Sequence, residues 1–86
     1  MATVVLPRSL VALFPGAARR ETAAGATVDE LMTTLEVRIP GLRARLVDGA
    51  RLRPHIKVYV DGQPADLDTL VSADATVHVI PAVSGG

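Results

Sequence analysis

The apolar positions of this chain fall into short alternating runs, with one longer stretch of helical spacing between them. From His55 to Val60, Ile56, Val58 and Val60 alternate with His55, Lys57 and Tyr59, the period of a strand with one buried face. Ala75 to Ile80 repeats the pattern, with Val77 and Val79 on one side and Thr76, His78 and Ile80 on the other. Thr3 to Pro7 reads as a further strand, rich in β-branched residues and closed by proline. Val4 and Leu6 are predicted inward there, and Thr3 and Val5 outward. Asp61-Gly62 is a two-residue hairpin signal, so Gln63 to Ala65 should pair back antiparallel. Arg19 to Ala24 is read as a returning strand of weak propensity.

The helical stretch begins with a capping box. The Thr27 hydroxyl is placed to accept from the Glu30 amide, and the Glu30 carboxylate to reach back to the Thr27 amide. Asp29 and Glu30 also favour the positive end of the helix dipole. Val28, Leu31, Met32, Leu35 and Ile39 recur at three- and four-residue steps and make one apolar face. Pro40-Gly41 ends the helix.

The connecting segments carry scattered anchors. Leu10, Leu13 and Phe14 around Pro15-Gly16 suggest a folded loop or a helical turn. Leu42 to Val47 suggests another turn, with Leu42 and Leu46 anchored and Arg43 and Arg45 solvated. Asp48-Gly49 marks a turn, and Leu67, Leu70 and Val71 read as a short turn with core anchors. The order of elements describes an α+β domain: a mixed sheet of four to five strands with one main helix across a single face. Its other face is left to solvent or a partner. Residues 1–81 form the domain, and 82–86 form a C-terminal tail.

Composition narrows the chemistry. The chain has 86 residues, enough for one core, and 49% of them are apolar, which supplies that core. Nine basic and nine acidic residues cancel and are scattered. There is thus no basic stripe with interleaved aromatics to bind nucleic acid. The longest apolar run is far short of a membrane span, and no basic region precedes a hydrophobic leader. A cytoplasmic protein without membrane attachment, monomeric on its own, is the expectation. The chain has no cysteine, so disulfides and thiolate metal sites are excluded. Any sulfur it handles cannot sit on a side-chain thiol.

Side-chain catalysis finds little support. His55 and His78 are the only imidazoles and have no metal-ligand spacing, so no metal site is expected. Ser9, Ser72 and Ser84 lack the strand-to-helix elbow of an activated serine. No glycine-rich phosphate loop follows a strand. Asp61, Asp66, Asp68 and Asp74 fall in turns, where Asp is expected for local backbone bonds.

The tail reads differently. Two terminal glycines occur by chance in roughly one chain in 200 at ordinary glycine usage, which alone is only suggestive. Gly85-Gly86 also follows a core strand by a few residues, so it projects from a rigid body. Glycines pass a narrow channel that any side chain would block, which suits a terminal carboxylate used as a substrate.

The whole pattern resembles the ubiquitin-like sulfur carriers of the MoaD, ThiS and CysO type. The specific matches are Ile80-Pro81-Ala82-Val83-x-Gly-Gly and Val58-Tyr59-Val60-Asp61-Gly62, and they look most like the cysteine-biosynthesis and molybdopterin-synthase branches. The resemblance implies a β-grasp fold with a free Gly-Gly tail, and a protein co-substrate rather than an enzyme. It implies no bound cofactor. A ubiquitin-activating-type adenylating enzyme of the MoeB, ThiF or MoeZ kind would use ATP to adenylate Gly86. A donor with a rhodanese-like domain would then convert it to a thiocarboxylate, and a synthase would accept the sulfur. Gly85, Ser84, Val83, Ala82 and Pro81 would thread the partner's channel. In this fold the last strand neighbours the 55–60 strand, which would gather Lys57, Tyr59, His78 and Ile80 into one partner-binding patch beside the tail. A protein modifier conjugated through Gly86, or an inert interaction domain, is the alternative.

Overall fold

The computed structural model describes residues 1–81; the tail residues Ala82, Val83, Ser84, Gly85 and Gly86 lie outside the described residues. Five strands form the main sheet: β1 (Ala2–Val5), β2 (Arg20–Ala23), β5 (Ile56–Val60), β6 (Gln63–Ala65) and β7 (Thr76–Pro81). Between them lie α1 (Arg8–Val11), α2 (Val28–Arg38), α3 (Leu42–Leu46) and a small ladder of β3 (Val47–Asp48) with β4 (Arg51–Leu52). The strand order is β2-β1-β7-β5-β6, antiparallel throughout except for the central β1–β7 pair, which is parallel. One main helix on one side of a mixed five-stranded sheet is the ubiquitin-like β-grasp.

The alternation read from the sequence sets the core. Val4, Val58, Val77 and Val79 project from the sheet towards Val28, Leu31, Met32 and Leu35 of α2, and all are buried. Fully burying an aliphatic side chain of this size contributes about 1.5–3 kcal/mol, so this two-layer contact dominates the stability of a small domain. Leu6, Leu10, Leu42 and Leu46 close its ends.

The N-terminus of α2 is tied down more fully than a capping box requires. The Thr27 hydroxyl accepts from the Glu30 amide at 3.2 Å, as expected. The Glu30 carboxylate accepts from Ala26 at 2.9 Å and not from Thr27. The Thr27 backbone is instead bridged to Leu70, and Val71 N–H donates to the Ala26 carbonyl. The first helical amides, Val28 and Asp29, donate to the Thr69 and Leu67 carbonyls. The 67–71 segment therefore satisfies donors that a helix leaves open.

Four further expectations need correction. Leu70 is 77% exposed and Leu13 is 51% exposed, so neither anchors the core. Leu70 serves through its backbone bridge to Thr27, while Leu67 and Val71 on either side are buried. In the 8–14 segment Leu10 carries the burial, with Val11 and Phe14 packed beside it. Arg43 is not simply solvated: its guanidinium pairs with Asp29. β1 also ends at Val5, before Pro7, and Thr3 and Val5 are half-buried.

Both sheet edges are closed to further pairing. The hairpin turn has positive φ at Asp61 (48°) and Gly62 (85°), the type I′ signature. From that turn the paired residues alternate, which puts Pro64, lacking an N–H, at a non-hydrogen-bonded site opposite Tyr59. At the other edge, Arg38 of α2 pairs with Glu21 at 3.5 Å and donates to the Thr22 carbonyl. Thr34 covers the carbonyl of Ala24 at 2.8 Å.

Candidate functional site

The candidate site is the sheet face that α2 leaves open, together with the point where β7 ends. β5 and β7 are neighbours, with Lys57 opposite Ile80 and Tyr59 opposite His78. The patch predicted from alternation is therefore contiguous: two cross-strand pairs, side by side on one face. The core face of the same strands holds Val58 opposite Val79. The contrast between Val79, 3% exposed, and Ile80, 43% exposed, fixes which face is which. Lys57 and His78 are exposed as expected, whereas Tyr59 is half-buried.

The parallel register extends the patch in a direction the sequence alone did not indicate. Val5 of β1 lies opposite His78, and Arg20 of β2 lies opposite Val5. One row of side chains thus crosses the sheet, from Arg20 through Val5, His78 and Tyr59 to Pro64. Val5 had been placed outward, but only the β1–β7 pairing joins it to His78, and that pairing spans 73 positions of sequence.

Pro81 closes β7 opposite Ile56 of β5. The tail's root is therefore held by a strand with neighbours on both sides, next to Ile80 and Lys57. Ile56 is itself buried and its amide is fixed to the Arg53 carbonyl at 2.9 Å.

A groove of about 670 Å³ adjoins this patch. Arg51, Arg53 and Pro54 form one wall, Ala65 to Asp68 another, and Lys57 and Tyr59 lie along it. It exists because β6 covers only Val58 to Val60 of β5 and stops short of Lys57. Arg53 is braced within it by a bond from its Nε to the Ala44 carbonyl at 2.7 Å. No pattern along the chain marks this groove, because β3 and β4 are two residues each and show no readable alternation.

No group of three or more His, Asp or Glu side chains among the described residues is arranged to hold a metal ion. His78 is exposed on β7, whereas His55, expected on the strand, lies exposed in the turn just before β5; neither has a carboxylate or hydroxyl hydrogen-bonded to it among the described residues. Among the described residues no helix is long and apolar enough to cross a membrane. Among the described residues Glu36 is held below its ordinary value. The Gly41 and Arg43 amides, at 2.8 Å each, hold its carboxyl low, with a further contribution from the Arg43 charge. Glu36 fastens α2 to α3 and lies away from the open face.

The family model described as the ThiS family matches residues 6–86. The chain belongs to the ThiS family. That match spans nearly the whole chain, including the Gly85-Gly86 pair. Among proteins of known sequence, small archaeal modifier protein 3 of Haloferax volcanii is 36% identical over 66 residues, covering 71% of each chain. Among solved structures, the one of the Amycolatopsis orientalis BexX/CysO complex contains a chain matching with a TM-score of 0.89 at 33% identity, over 100% of both chains. Mycobacterium tuberculosis CysO follows with a TM-score of 0.86 at 26% identity, covering 96% of this chain and 100% of that one. SAMP1 of Haloferax volcanii gives a TM-score of 0.77 at 29% identity, covering 99% and 98%. The chain is thus a small ubiquitin-like protein, similar both to CysO proteins and to small archaeal modifier proteins.

Proposed function

We propose that this ThiS-family protein is a sulfur carrier whose reacting group is the terminal carboxylate of Gly86. A ubiquitin-activating-type enzyme transfers AMP from ATP to that carboxylate with loss of pyrophosphate. This gives an acyl carbon with a good leaving group. A persulfide on a donor with a rhodanese-like domain then attacks that carbon, expelling AMP and forming an acyl disulfide. A second thiol cleaves its S–S bond, leaving the thiocarboxylate on Gly86 and a disulfide on the thiols. Transfer of this sulfur to a biosynthetic acceptor, in the making of cysteine, molybdopterin or a secondary metabolite, restores the carboxylate. The protein is a co-substrate throughout, with Gly85, Ser84, Val83, Ala82 and Pro81 threading the partner's channel.

The observation that carries this reading is the rooting of the tail. Pro81 ends a central strand beside an open face where Ile80, Tyr59, Lys57 and His78 adjoin. A partner gripping that face holds the root at a fixed distance from its own active site, which is what positioning a five-residue tail requires. The BexX/CysO complex gives a precedent for a similar chain bound to another protein.

Identity to a small archaeal modifier protein favours a second reading, in which activated Gly86 is passed to an amine on another protein. One experiment separates the two. The protein is incubated with the adenylating enzyme, ATP and a sulfur source, and its intact mass is taken. Exchange of one oxygen for sulfur supports carriage, and discrete adducts on other proteins support modification. No change with either acceptor overturns both readings. Deleting Gly86, or Gly85→Trp, should abolish the mass shift with the melting temperature unchanged; normal thiocarboxylation of either variant refutes the role of the tail.

A further inference from the structure

Charge is divided unevenly between the two faces of the sheet. The chain has nine acidic and nine basic residues, yet no strand residue on the open face is acidic. Besides Tyr59, the ionisable side chains of that face are Arg20, Lys57 and His78, and all three are exposed. The acidic side chains are engaged or placed elsewhere. Glu21 projects to the other side and pairs with Arg38, and Asp29 pairs with Arg43. Glu30, Glu36 and Asp61 accept from backbone amides. Asp48, Asp66, Asp68 and Asp74 lie outside the five strands.

The cations near the tail's root have no such partners. Arg20 and Lys57 make no ion pair or side-chain hydrogen bond among the described residues, and neither does Arg8. Arg8 opens α1 just beyond β1, and because β1 runs parallel to β7 it lies at the same end of the sheet as Pro81. Asp66 follows β6 across the groove from Lys57 but is not paired with it. The end of the open face from which the tail departs is therefore cationic around an apolar centre of Ile80, Tyr59 and Val5, on a protein of zero net charge.

We infer that the surface docking on this face is acidic: an apolar seat for Ile80 and Tyr59, rimmed by Asp and Glu set against Arg8, Arg20 and Lys57. This rests on the docking face proposed above and adds the chemistry of the partner. A second copy is a poor occupant, since face-to-face pairing sets cations against cations. With no net charge to attract partners at long range, the patch acts within about one Debye length, roughly 10 Å at 0.1 M salt. Rim charges of this kind set the rate of encounter and its salt dependence more than the lifetime of the complex.

The test measures association of the full-length protein with the purified ubiquitin-activating-type enzyme of its own organism, without ATP, at 50 and 300 mM salt (assay settings). The wild-type on-rate should fall by about tenfold or more between the two. Arg20→Glu with Lys57→Glu should slow association at low salt by roughly 10- to 100-fold and remove most of the salt dependence. The off-rate should change by less than about threefold, with an unchanged melting curve showing that the fold is kept. An on-rate that is insensitive to salt and to the double reversal overturns the inference. Ile80→Asp tells the two failures apart. If it abolishes binding while the charge reversal does nothing, only the acidic rim is wrong. If it too leaves binding intact, the docking face itself is wrong. Self-association through this face, seen by sedimentation and lost in Ile80→Asp, also overturns the inference.

Discussion

Removing the carboxylate of Glu36 should uncouple α3 from α2 in a way that acid reproduces. Its two oxygens accept from the amides of Gly41 and Arg43, both at 2.8 Å, and so satisfy two donors at the start of α3. Hydrogen bonds to a charged acceptor contribute about 1.5–3 kcal/mol when sheltered. Glu36 is only half-buried, and with screening by solvent the pair is better compared with a helix cap, at about 1–2 kcal/mol. For a domain of this size Glu36→Ala should therefore lower the melting temperature by roughly 5–15 °C. The pH dependence has a definite sign. Because these amides hold the folded-state pKa below the ordinary glutamate value, the folded chain binds fewer protons than the unfolded one through that range. The contribution is complete above the ordinary glutamate pKa, about 4.3, and is lost as pH falls through the lower folded value. Thermal melts of wild type and variant at a series of pH values should converge towards acid. A gap that stays constant from neutral pH down to about 3, well below the ordinary pKa, would refute the account. So would a gap that widens.

Two further outcomes test the two faces and the helix entry. Val79→Ala, on the core face, should cost about 2–3 kcal/mol in chemical denaturation; Ile80→Asp, one residue on, should cost under about 1 kcal/mol yet lose partner binding. Equal destabilisation by both would show that the face assignment is wrong. At Gly25 a Cβ would stand 2.9 Å from both Glu30 Cβ and the Leu31 backbone nitrogen, so Gly25→Ala should destabilise by about 1–3 kcal/mol. A melting temperature equal to wild type would mean that this approach to α2 is not tight.

What could be read in advance followed from local repetition. Five alternating residues placed β5, and Asp61-Gly62 fixed its hairpin because both turn residues adopt positive φ. Thr27 and the three- and four-residue apolar steps placed α2, since these signals act within a turn of helix. The patch of Lys57, Tyr59, His78 and Ile80 was legible once β5 and β7 were taken as neighbours. What escaped depends on groups far apart in sequence. Glu36 reaches forward to Arg43, Arg43 to Asp29, and Arg38 back to the Thr22 carbonyl, and no periodicity records such reaches. Leu13 and Leu70 misled because an apolar residue in a loop carries no sign of which way it points. The tail motif was legible as composition, and Gly85-Gly86 lies outside the described residues.

The parallel pairing of β1 with β7 also has a consequence for biosynthesis. The two central strands of the sheet come from near opposite ends of the chain, so within the sheet the pairs β2–β1 and β5–β6 are hydrogen-bonded together only through β7. Contacts so distant in sequence form late and leave a growing chain without a core until that stretch is available. A product cut short before Thr76 lacks the strand that unites these pairs, and with it His78 and Ile80 of the open face. Folding thereby acts as a checkpoint: the complete open face exists only on chains synthesised through β7.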